Sequence, residues 1–162
     1  MNRVTRPLLY GAASGAAGTT ALNVVGYADI TLRGRPASTT PEITVRRLAE
    51  KLHLRIPGEG PALDNRVVGL ASLTGFAVGL AMGTVLSLTR AAGWHPSKGP
   101  EYAAATVGAL ICTNGPLTVL GVSDPRTWSA ADWVSDIVPH LAYALVTTAV
   151  LERMYATSPV GE

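Results

Sequence analysis

Charge is what this sequence has least of. Asp, Glu, Lys and Arg make up 15% of its 162 residues, against about 25% in an average soluble protein. The net charge of +2 does not suggest a nucleic-acid partner. A single cysteine, Cys112, excludes an intrachain disulfide, and no Cys/His spacing suggests zinc or another metal. GxSxG, HExxH, a phosphate loop and a cysteine-histidine pair are all missing. The sequence therefore reads as a non-enzyme with no cofactor. A carboxylate site drawn from Asp132, Asp136 and Glu101 is the one catalytic arrangement that can be imagined.

Apolar character is what the chain has in quantity: 48% hydrophobic residues and a mean hydropathy of +0.27. Residues 7–28, 67–89 and 102–123 contain no Asp, Glu, Lys or Arg, and 137–151 is a shorter stretch of the same kind. A helix crossing hydrocarbon needs roughly 17–25 residues. A soluble bundle should instead show a polar face on each helix. Residues 67–89 have none, since Ser72, Thr74, Thr84, Ser87 and Thr89 can each bond their own backbone. The expectation is an all-α, multi-pass protein of the cell membrane. Its spans, about 7–32, 66–90, 101–122 and 133–152, form a four-helix bundle. Arg3 and Arg6 before an apolar run have the order of a signal peptide, but apolar character persists to Leu32, too far for a cleaved leader.

Small residues mark the first two spans. Gly11 and Gly15 form a small-xxx-small pair, and Gly75, Gly79 and Gly83 sit four apart in GFAVGLAMG. In lipid, helices associate through such GxxxG faces because close backbone approach replaces the hydrophobic drive. Packing inside the chain and self-association both use this device.

Between these spans, Thr40-Pro41-Glu42 is a helix start. A short amphipathic helix over about 41–55 follows, with Val45, Leu48, Ala49, Leu52 and Ile56 on one face. It suits the headgroup layer, a cap on the bundle, or a partner. Trp94, Trp128 and Trp133 fall at the span boundaries, where tryptophan anchors. Lys and Arg number eight on the side of the first loop and five on the other, a balance that favours a cytoplasmic first loop without fixing the orientation.

Polar residues in the apolar zone are the candidate functional groups. Asn23 lies in the first span, and Asp29 stands four residues before Arg33, as an ion pair would require. Asp132, Asp136 and His140 share one face of the last span, where they could hold a cation or relay a proton. Ser129-Ala-Ala-Asp132 also reads as a capping box. Thr113-Asn114-Gly115-Pro116 interrupts the third span as a kink or a true break, with the Asn114 side chain free to serve the loosened backbone. Thr113, Asn114, Asn23, Asp136 and His140 are the residues of a possible polar path.

The segment TTALNVVGYADITLRGRPASTTPEITVRRLA resembles a pattern in small, uncharacterised membrane proteins of actinobacterial type. There a Gly/Ala-rich span runs into an RGRP-S-x-TPE segment and a short helix. The resemblance covers about the first third of the chain and implies a membrane protein, with no activity, cofactor or catalytic residue attached. Two functions follow as expectations. One is a protein that packs through its glycine faces, with itself or in a larger membrane-protein complex. The other is a small oligomeric channel or transporter. Membrane lipid is a partner in both.

Overall fold

The structure, a computed structural model, describes residues 4–157. Among them are five α-helices and no strand: α1 (Thr5–Arg33), α2 (Thr40–Lys51), α3 (Gly60–Ala91), α4 (Lys98–Val119) and α5 (Ala130–Ala156). A single 3-10 turn, Pro125–Thr127, precedes α5.

Pairwise contacts fix the directions of the four long helices. Tyr10 of α1 meets Tyr155 of α5 edge-on, with centroids 5.3 Å apart, while Arg33 at the far end of α1 reaches Ser135 at 2.8 Å. Those helices are antiparallel. Gly11 faces Gly83 and Thr84, and Gly15 faces Gly79 and Leu80, so α1 is also antiparallel to α3. Lys98 pairs with Glu152 at 3.6 Å and Asn114 with Asp136 at 2.7 Å, which sets α4 antiparallel to α5. The α3–α4 connection therefore lies at one end of the molecule, and α2 lies at the other with the α4–α5 connection.

The core is thin. Leu86, Ala105, Ala144 and Leu151 form its buried cluster, with Tyr10, Met82 and Tyr155 packed around them. Helices α3 and α5 are long and apolar enough to cross a membrane, and only 22% and 39% of their apolar windows are buried inside the molecule. Leu73, Ile111 and Val119 are among the large side chains pointing outward. Helices α1 and α4 match the expected spans in position but are less apolar. Gly, Ala and Thr occupy about half of α1, and α4 opens on Lys98-Gly99-Pro100-Glu101.

Three expectations are corrected. Helix α4 is continuous through Asn114-Gly115-Pro116, so there is no break. Pro116 falls in its last turn and removes one backbone bond, and the end is then closed by the Leu120 amide on the Pro116 carbonyl and the Val122 amide on that of Leu117. Helix α2 stops at Lys51 instead of continuing to 55. His53 takes a left-handed φ of 53°, and the amides of His53 and Leu54 bond the carbonyls of Glu50 and Ala49, a Schellman closure. Finally, the apolar face of α2 is divided. Val45 and Ala49 are half-buried, whereas Leu48 and Leu52 are exposed, because α2 lies against α3 along one edge.

Candidate functional site

Two constellations hold the residues that the sequence singles out. The first is the α1–α3–α5 contact. A Cβ on Gly15 would stand 2.5 Å from the Gly79 carbonyl oxygen, and one on Gly83 would stand 2.5 Å from that of Gly11. A Cβ on Gly11 would run into the Thr84 backbone, and one on Gly79 into the Thr19 hydroxyl. These four glycines let two backbones touch within one chain. Gly75 does not belong with them. It is exposed, and a Cβ there would meet nothing within 4 Å. The stripe is read at a four-residue step, and a straight helix turns 3.6 residues per turn, so its outer member rotates off the contact.

Gly18, which continues the Gly11–Gly15 side at helical spacing, faces Thr147 and the Tyr143 carbonyl, where a Cβ would stand 2.9 Å from that oxygen. Tyr143 is buried and donates its hydroxyl to the Gly79 carbonyl at 2.7 Å, tying α5 to α3 past α1. Sequence reasoning passed over this tyrosine. The available signal was an aromatic hydroxyl in the middle of the last span, which needs an acceptor when buried.

The second constellation is the polar seam between α4 and α5. Asn114 donates from Nδ2 to Asp136 Oδ2 at 2.7 Å, and does not serve its own backbone. One turn further along α5, His140 Nε2 lies 3.1 Å from Thr113 Oγ1. The other ring nitrogen, Nδ1, lies 2.7 Å from the backbone oxygen of Asp136 and 3.5 Å from Asp136 Oδ1. A backbone carbonyl only accepts, so Nδ1 carries hydrogen. In neutral His140, Nε2 then accepts from Thr113. In the imidazolium, Nε2 donates, and the Thr113 proton turns to the Ala109 carbonyl 3.0 Å away. The seam can thus hold a proton with every partner still bonded.

Asn23 stays apart from this seam. The α1–α5 register brings it level with His140, yet its side chain makes no hydrogen bond to another described residue. Asp132 is occupied by the capping box, giving to Ser129 what Ser129 returns. Among the described residues no three His, Cys, Asp or Glu side chains are placed to hold a metal ion. Glu101 lies thirteen residues from Asn114 along α4, about 20 Å at the helical rise. Asp132, Asp136 and Glu101 therefore share no site.

Further polar groups close the two ends. Arg90 and Glu101 pair at 3.3 Å with side chains only 14% and 9% exposed. Arg6 lies over the rings of Tyr10 and Tyr155, and Tyr155 bonds Ser87 at 3.0 Å. At the opposite end Asp29 pairs with Arg33 at 3.3 Å and Arg35 at 2.6 Å. Trp128 and Trp133 stack edge-on with centroids 5.1 Å apart. In the loop before them, Arg126 beside Asp124 holds that carboxyl below its ordinary value.

Comparison with protein-family models, with curated proteins and with solved structures returns no match. The reading of function rests on the geometry alone.

Proposed function

We propose that this chain is a non-enzymatic, multi-pass protein of the cell membrane in which α1, α3, α4 and α5 all cross as a four-helix bundle. It packs through glycine-rich faces and serves as a subunit of a membrane assembly, either with copies of itself or with another membrane protein. The observation that carries this reading is the outer surface of α3. That helix is apolar along a crossing length, and 22% of its apolar window is buried within the chain. Lipid or a neighbouring transmembrane helix is the solvent such a surface requires.

Gly11, Gly15, Gly79 and Gly83 are committed inside the chain, so an external contact would use what remains outward. Gly69 and Gly75, both exposed on α3, are available for close approach. Native mass spectrometry of the protein released from nanodiscs tests the assembly. A defined homo-oligomer, or a stoichiometric complex with another membrane protein, is the expected result; a bare monomer in every preparation would overturn it.

One observation favours a second reading. The Thr113–His140 and Asn114–Asp136 pairs place exchangeable protons between α4 and α5, and an oligomer could line a polar path with them. Flux across proteoliposomes, lost in Asn114→Ala and Asp136→Ala while assembly persists, would support a small channel or transporter.

A further inference from the structure

Helix α2 is held at one end of the molecule by two polar ties. Arg46 pairs with Asp64, in the first turns of α3, at 2.6 Å, and Lys51 Nζ donates to the Val119 carbonyl at the end of α4 at 3.5 Å. None of its residues is buried. Val45 and Ala49 turn toward α3, while Leu48 and Leu52, on the flank beside them, remain 42% and 56% exposed. Leu54, whose amide closes the helix on the Ala49 carbonyl, is also exposed, at 63%. Arg47 and Lys51 lie on the side facing away from α3, and Arg55 follows directly after the turn.

This arrangement has a direction. Asp64 marks where α2 meets α3, and the outward apolar side chains of α3, Val68, Leu70 and Leu73, begin within two turns of it. The leucine flank of α2 therefore lies at the depth where hydrocarbon would end if α3 crosses. Residues 33–66 hold seven Lys or Arg against four Asp or Glu, so the segment presents positive charge at that depth. An in-plane helix with leucines at the acyl boundary and basic residues above them fits an anionic headgroup layer. The geometry points to α2 as a lipid-surface anchor, with Leu48, Leu52 and Leu54 at the acyl boundary and Arg47 and Arg55 on the phosphates of anionic phospholipids. The inference rests on the membrane reading of α3.

The test uses the full chain with Cys112→Ser, reconstituted in vesicles of phosphatidylcholine alone or mixed with phosphatidylglycerol. A polarity-sensitive fluorophore is placed in turn at Leu52→Cys, Glu50→Cys and Leu73→Cys. The expected result is quenching at position 52 by a lipid-borne quencher, stronger in the anionic vesicles, with position 50 open to iodide. Arg47→Gln and Arg55→Gln should each weaken the docked population about fivefold. Iodide reaching 52 as readily as 50 in both lipid mixtures would overturn the anchor. So would a position 52 shielded from both quenchers, which would mark a protein partner. Lipid quenching at position 73 in either case leaves the membrane reading standing. Its absence overturns that reading, and the anchor with it.

Discussion

Nδ1 of His140 lies 2.7 Å from the backbone carbonyl oxygen of Asp136, a contact in which only the ring can donate. Neutral His140 is therefore the Nδ1–H tautomer, with Nε2 accepting from Thr113. Nitrogen-15 NMR of labelled protein should show a protonated Nδ1 and a bare Nε2. Thr113→Val removes the donor to Nε2 and should move the Nε2 resonance while leaving Nδ1 protonated. A bare Nδ1 in the wild type would refute the assignment.

The Asn114–Asp136 bond joins α4 to α5 one turn away. Interhelical hydrogen bonds in lipid average about 0.6 kcal/mol and reach about 1.7. Asn114→Ala should cost about 1 kcal/mol, and the double variant with Asp136→Ala should show coupling of the same size. Unfolding in mixed micelles measures both, and strictly additive losses would mean that the bond contributes nothing.

The glycines divide by environment. Gly83→Ala thrusts a methyl group into the Gly11 carbonyl and the Gly15 backbone, so the α1–α3 contact must open, at about 1–3 kcal/mol. Gly75→Ala meets open space and should be neutral or stabilising in the monomer, since alanine is the better helix former by up to ~1 kcal/mol. Thermal melting of the two variants in detergent checks the contrast.

The two ion pairs at the α3–α4 end should behave differently. Removing one partner of a buried pair costs about 3–5 kcal/mol, and Arg90–Glu101 is nearly buried, so Glu101→Ala should approach the lower figure. Lys98–Glu152 is open to solvent, and Glu152→Gln should change stability by less than about 1 kcal/mol. Equal losses would show that the first pair is also solvated.

Asp124 supplies a pH dependence. Its carboxyl, bonded by the Arg126 guanidinium and then the Arg126 amide, titrates below its ordinary value of 3.8. A lowered acid favours the folded loop above the unfolded pKa and loses that contribution as pH falls through the folded one. The carboxyl carbon resonance of Asp124 should thus titrate below pH 3.8, and Arg126→Gln should bring the midpoint back up. Salt should weaken the effect.

Much of the local structure was legible in the chain. Uncharged runs located the four long helices, Thr40-Pro41-Glu42 located the start of α2, and Ser129 with Asp132 marked the capping box of α5. These are signals carried within one or two turns. The partner of each polar side chain was not legible in this way. Asn114 could have served its own backbone, and only the approach of α5 made Asp136 its acceptor. Gly75 looked equivalent to Gly79 and Gly83 because spacing does not report which side of a helix meets a neighbour.

By itself the sequence determined that the chain is helical, poor in charge, and closed by capping at identifiable residues, because propensity and patterning act locally. Tertiary structure decided which glycines touch, which proton carriers face each other across α4 and α5, and which edge of α2 stays open. Each of these depends on the rotation and register of helices far apart in sequence. That register is set by side-chain fit between backbones, and no short stretch of the chain contains it.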